Sequence, residues 1–119
     1  MHYNASFVAR CKRILFRLPL SRNLIPIIEK RFVRRKLHFR THPGYYSPKN
    51  YPLIADYLAL LLLHDRDKAQ KILRIFKERA DREQPDCSMI YIGARQNYQY
   101  LLKMTSALTD IPISELSPT

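Results

Sequence analysis

The stretch N-Y-P-L-I-A-D-Y-L-A-L-L-L-L-H-D-R-D-K-A-Q-K-I-L-R-I-F, residues 50–76, carries the fold. Its first half is apolar nearly all round. Leu53, Ile54, Tyr57, Leu58, Leu61 and Leu62 recur at helical steps, and Leu60 and Leu63 fill the gaps between them. A helix with no polar side must be buried on most sides. Asn50 and Pro52 suit its opening turn, where proline's missing N–H costs nothing. The second half is amphipathic, with Ala69, Ile72, Leu73 and Phe76 in one stripe and Lys, Arg and Glu between them. The tetrapeptide H-D-R-D at 64–67 separates the halves. Either a helix crosses it on a solvated face, or Asp65 caps a new helix from Arg66 to Arg82. Neither Gly nor Pro interrupts it, so one long helix over 53–83, kinked at most, is the expectation.

Downstream, Gln84-Pro85-Asp86 reads as a turn. Met89, Ile90, Ile92, Tyr98, Leu101, Leu102 and Leu108 then predict a C-terminal helix over 88–108. Gly93 weakens its first turns by about 1 kcal/mol relative to alanine. From Asp110 a proline-broken tail lies against the surface.

Upstream, T-H-P-G-Y-Y-S-P-K-N-Y-P at 41–52 holds three prolines, a glycine and three tyrosines. It predicts an ordered loop, since tyrosines supply contact area. Before it come two helices, a hairpin over 5–40. Phe7, Cys11, Ile14, Leu15 and Leu18 mark the inward face of the first, which starts at Asn4 or Ala5, with Asn4 or Ser6 as cap, and stops at Pro19. Ser21 or Asn23 caps the second, whose stripe is Leu24, Ile27 or Ile28, Phe32 and Phe39. Lys30, Arg31, Arg34, Arg35 and Lys36 lie outside. The short connection predicts antiparallel packing of this pair. The expected fold is all-α: a single domain over 1–119, an antiparallel bundle of three to four helices with a proline-rich loop between helices two and three.

The charge is segregated. Residues 1–50 hold twelve Lys/Arg against one acid, Glu29, while residues 51–119 hold nine of each; the net charge is +11. Solvated helices usually pair Lys or Arg with Glu at i+4. Over residues 5–40 such pairing is nearly absent. A field of one sign calls for a polyanionic partner: nucleic acid, an acidic protein or anionic lipid. Lipid binding would need a helix with one face left free, whereas both N-terminal stripes are assigned to the core. The longest apolar run, Leu58 to Leu63, is far short of the roughly 18–20 residues that span a bilayer. Residues 1–40, Arg-rich and almost without acids, also read as a mitochondrial targeting segment, here retained and folded.

No chemistry-bearing pattern points to an enzyme or a cofactor. His38 and His42 have metal-ligand spacing, but Pro43 follows and no third ligand is near. His64 with Asp65 and Asp67 lacks a nucleophile and reads as a polar helix interruption. No glycine-rich phosphate cradle is present. Cys11 and Cys87 lie far apart and form no C-x-x-C pair; they could bridge, but isolated thiols are more often core residues, and a reducing compartment is the expectation.

Two stretches carry a family likeness. R-C-K-R-I-L-F-R-L-P at 10–19 resembles the opening of the LYR-motif family of small mitochondrial proteins, with Arg13 at the triplet's arginine and Ile14, Leu15 and Arg17 continuing the pattern. Cys11 and Lys12 stand where the family has Leu-Tyr. E-K-R-F-V-R-R-K at 29–36 resembles the family's second landmark, a phenylalanine before basic residues, with Phe32 in that place; the interval from Arg13 is several residues shorter than usual. The likeness covers residues 7–76. Within the family these stretches look most like assembly factors of succinate dehydrogenase, whereas R-Q-N-Y-Q-Y-L-L-K at 95–103 is closer to ATP synthase assembly factors. Residues 51–86 also resemble, loosely, a pentatricopeptide-type helical hairpin, of which one unit could not bury its own faces.

The LYR likeness implies a three-helix adaptor in the mitochondrial matrix that binds acylated acyl carrier protein, an acidic partner whose lipid chain enters between the helices. Arg13, Arg17, Lys30, Arg34 and Arg35, with Lys12 beside them, would be the electrostatic contacts, and Phe32 would face the interior. The expected function is therefore a non-enzymatic adaptor or assembly factor serving a respiratory-chain or ATP synthase complex. The alternative is a small mitochondrial ribosomal protein that holds rRNA with the same basic half, stacking Tyr45, Tyr46 and Tyr51 on bases and lying among ribosomal proteins.

Overall fold

The computed structural model describes residues 5–35, 50–82 and 94–116. These residues are helical, with no strand among them. In chain order they form α1 (Ala5–Arg17), a 3-10 turn (Pro19–Asn23), α2 (Leu24–Arg34), α3 (Tyr51–His64), α4 (Arg66–Asp81), α5 (Ala94–Thr109) and α6 (Ile113–Leu116).

α3 is the axis of the fold. Ile54, Ala55, Leu58, Ala59, Leu60 and Leu61 are fully buried, as an all-round apolar helix requires. α5 and α4 cover much of it, α2 and α1 the rest. α4 turns Ala69, Ile72, Leu73, Phe76 and Ala80 inward, one stripe at three- and four-residue steps. From α5 come Tyr98, Leu101, Leu102 and Leu108, and buried Leu116 of α6 anchors the tail. At the other end of α3, Tyr51 Oη donates to Asn97 Oδ1 of α5.

The helix expected over 53–83 is two helices. Asp65 leaves the helical region (φ −152°, ψ 75°), and its carboxylate accepts from Lys68 N at 3.4 Å. Its own N–H still bonds to Leu61 O at 2.6 Å, closing α3. An N-cap aspartate thus makes the break without Gly or Pro.

The first two helices also depart from expectation. α1 packs on α5 and α3, and α2 on α3, with the 3-10 turn between them; they do not form an antiparallel pair packed on each other. More consequentially, α1 is rotated. Phe7, Cys11, Ile14, Leu15 and Leu18 face outward, and Phe16 is the buried anchor, with Ala9 packed beside it. On that inward side α1 also meets Asp56, the one ionisable carboxyl within α3. A partly buried carboxylate is stabilised by a cation, and Lys12, on the Ala9–Phe16 side of α1, supplies one at 3.0 Å.

The second helix begins without a side-chain cap from Asn23. Ser21 is otherwise engaged: its hydroxyl lies 2.6 Å from Phe16 O and 2.7 Å from Leu18 O. Of the loop expected over 41–52, Tyr51 and Pro52 belong instead to the first turn of α3; residues 41–49, the turn at 84–86, His38, Phe39, Cys87 and the first residues of the helix expected over 88–108 lie outside the described residues.

Candidate site for an anionic partner

The basic segment 5–35 sorts its cations into two groups. The first is tied to the protein itself. Lys12 bonds both Asp56 oxygens, at 3.0 and 3.1 Å. Arg13 and Arg17, one helical turn apart, both reach the C-terminal end of α5. Arg13 pairs with Asp110 at 3.7 Å, and Arg17 donates to Thr109 O at 3.3 Å. The negative end of a helix dipole favours cations at that place. Asp110 sits in the left-handed region (φ 63°), with its N–H on Ser106 O at 2.8 Å. Aspartate tolerates that conformation better than most residues do. Arg35 donates to Asn50 Oδ1 at 3.0 Å, joining the end of α2 to the start of α3.

The second group is open to solvent. Lys30 and Arg34 lie on the outer face of α2 together with Arg31, with exposed Ile27 and Val33 among them. Arg10 and Arg22 project from α1 and the 3-10 turn. None of these five cations is within 4.0 Å of a carboxylate among the described residues. Arg10, Arg22 and Arg31 were not among the partner contacts expected from sequence, although Arg31 was expected on the outer face. Their signal was present in the missing i+4 acids.

Glu29, the lone acid of the segment, does not dilute this field. It faces inward, accepting from Tyr57 Oη at 2.7 Å and Lys68 Nζ at 2.6 Å. Burial pushes its carboxyl upward, but the bonds from Lys68 and Tyr57 and the Lys68 charge outweigh it, so its pKa is lowered. Asp56 shows the reverse balance. Burial wins over the hydrogen bond and charge of Lys12, and the pKa is raised. Phe32 is buried against Tyr57, edge to face at 4.9 Å between centroids.

His64 serves the architecture. Its Nε2 lies 2.8 Å from both Phe16 O and Ser21 Oγ, fastening the α1 corner to the α3–α4 joint. Cys11 is an exposed free thiol, against the expectation of a core residue. Among the described residues, no group of three or more His, Cys, Asp or Glu is placed to hold a metal. Nor is any helix there long and apolar enough to cross a membrane. The geometry thus leaves Lys30, Arg31 and Arg34 on the solvent side of α2, beside exposed Ile27. No protein-family model, curated protein or solved structure matches this chain.

Proposed function

We propose that the protein is a non-enzymatic adaptor or assembly factor that holds an acidic protein on the outer face of α2. One observation carries this reading: Lys30, Arg31 and Arg34 share that face with Ile27 and touch no carboxylate among the described residues. Cations set around an exposed aliphatic side chain suit a protein partner, with charge steering the encounter and the apolar contact holding it. Acyl carrier protein in the mitochondrial matrix is the partner that the likeness to LYR-motif proteins implies, and a respiratory-chain or ATP synthase complex is the client. The seam between α2 and α3, where Phe32 meets Tyr57, is where an acyl chain would have to part the helices.

The ribosomal alternative draws less support. Tyr51, which would stack on bases, is buried and bonded to Asn97, and phosphate surfaces favour cations and flat rings over aliphatic side chains.

The test is co-purification from mitochondrial extract with and without nuclease. Nuclease-resistant recovery of acyl carrier protein, abolished by Lys30→Glu with Arg34→Glu, is the expected result. Both side chains are exposed, so the helical circular dichroism of that variant should equal wild type. Nuclease-sensitive recovery of ribosomal proteins would overturn the proposal.

A further inference from the structure

The rotation of α1 leaves an unpartnered apolar crest. Ile14 is 66% exposed, Leu18 51% and Phe7 60%, and Leu20 in the following turn is 79% exposed. Phe7, Ile14 and Leu18, with Cys11 and Leu15, occupy an arc of about 100° at 3.6 residues per turn. That arc lies opposite the Ala9–Phe16 side, which packs on α3 and α5. Large side chains aligned over about three turns are not the scattered apolar residues of an ordinary surface.

Shape and charge both bear on what covers the crest. It stands on the outermost side of a helix whose back is packed, so it is convex. A convex apolar ridge sinks readily into a soft interface, whereas a folded partner would have to offer a matching groove. Arg10 and Arg17 border the crest on one side, and Arg22 follows it. None of these three arginines lies within 4.0 Å of a carboxylate among the described residues. An apolar stripe edged by arginines on a helix lying flat is the pattern of an interfacial membrane helix.

We infer that α1 and the corner after it dock on an anionic lipid surface, with Ile14, Leu18 and Leu20 entering the interface and Arg10 and Arg22 resting on the headgroups. This attachment is peripheral and uses a different face from the α2 wall, so lipid and acidic protein can be held together.

The test is flotation of the full chain with phosphatidylcholine vesicles, with and without phosphatidylglycerol. Wild type should float with the anionic vesicles, much less with the neutral ones, and less in high salt. Ile14→Ser with Leu18→Ser should weaken binding by about tenfold or more, given the aliphatic area removed. Arg10→Gln with Arg22→Gln should erase the preference for phosphatidylglycerol. All four positions are exposed, and unchanged circular dichroism checks that each variant folds. Failure of wild type to float, or wild-type flotation by the Ile14/Leu18 variant, overturns the inference. So does loss of acyl carrier protein capture in that variant, which would make the crest a protein seat. The Lys30/Arg34 variant should float like wild type, so the two proposals fail separately.

Discussion

Lys12 Nζ lies 3.0 Å from Asp56 Oδ1, tying the Ala9–Phe16 side of α1 to α3. The two side chains retain 31% and 19% of their exposure, which places the pair between a surface ion pair and a buried one. Removing one partner of such a pair costs more than the pair itself contributes, because the other charge stays behind. Lys12→Met should therefore lose about 2 kcal/mol in urea unfolding, between the values for exposed and buried pairs. Adding Asp56→Asn should restore most of that loss. An additive double variant would show that the two side chains are not coupled.

Glu29 and Asp56 give stability opposite pH dependences. The lowered pKa of Glu29 means that the unfolded chain takes up its proton first as pH falls. Its contribution is complete above the ordinary value of 4.5 and is lost as pH drops through the lower folded value. The raised pKa of Asp56 means that the folded chain keeps its proton longer as pH rises, so stability declines from the ordinary value of 3.8 up to the folded value. Thermal melts across the acid range should show Glu29→Gln abolishing the acid-side loss. Asp56→Asn should abolish the opposing decline. A shared flattening in both variants would contradict these signs.

The central helices were legible because their side chains leave no choice. The all-round leucines of α3 must be buried, and the Ala69–Phe76 stripe of α4 has one apolar side. The break at Asp65 was visible as one of two readings; a single carboxylate deciding between cap and continued helix carries too small a signal in sequence. α1 misled for a different reason. Its periodicity shows two candidate faces, Phe7–Ile14–Leu18 and Ala9–Phe16, and hydrophobicity alone favours the first. The inward face meets partners far along the chain, among them Asp56, forty-four residues from Lys12, and helical periodicity alone does not show them. The candidate site shifted accordingly. Lys12, Arg13, Arg17 and Arg35 look alike in sequence to Lys30 and Arg34, but the first four meet acceptors supplied by α3, the end of α5 and Asn50.

His64 and Ser21 should be energetically coupled. Phe16 O and Leu18 O can only accept, and the Ser21 hydroxyl has one proton to give them. The proton on His64 Nε2 therefore serves Phe16 O and Ser21 Oγ. Ser21→Ala and His64→Leu should each cost about 1–2 kcal/mol, the cost of leaving a buried partner unmet. The double variant should cost less than the two together, by at least about 0.5 kcal/mol. Strict additivity in urea unfolding would show that the two side chains act separately. Nitrogen chemical shifts of the ring give a second check, since Nε2 should carry a proton in the folded protein.

Neighbouring positions on α1 should respond in opposite ways. Phe16 is 4% exposed and is the one large side chain of the helix in the core. Truncating a buried phenylalanine removes its transfer free energy and leaves a cavity, so Phe16→Ala should cost about 3–4 kcal/mol. Ile14 and Leu18 bury little, and Ile14→Ser or Leu18→Ser should stay within about 0.5 kcal/mol of wild type. A helix seated on its Phe7–Ile14–Leu18 stripe would give the reverse order, with the serine variants strongly destabilised and Phe16→Ala nearly silent. Urea unfolding of the three variants separates the two orientations. Cys11, on the same outward stripe, offers a check without mutation: its thiol should react with a water-soluble maleimide in the folded protein nearly as fast as in the unfolded chain.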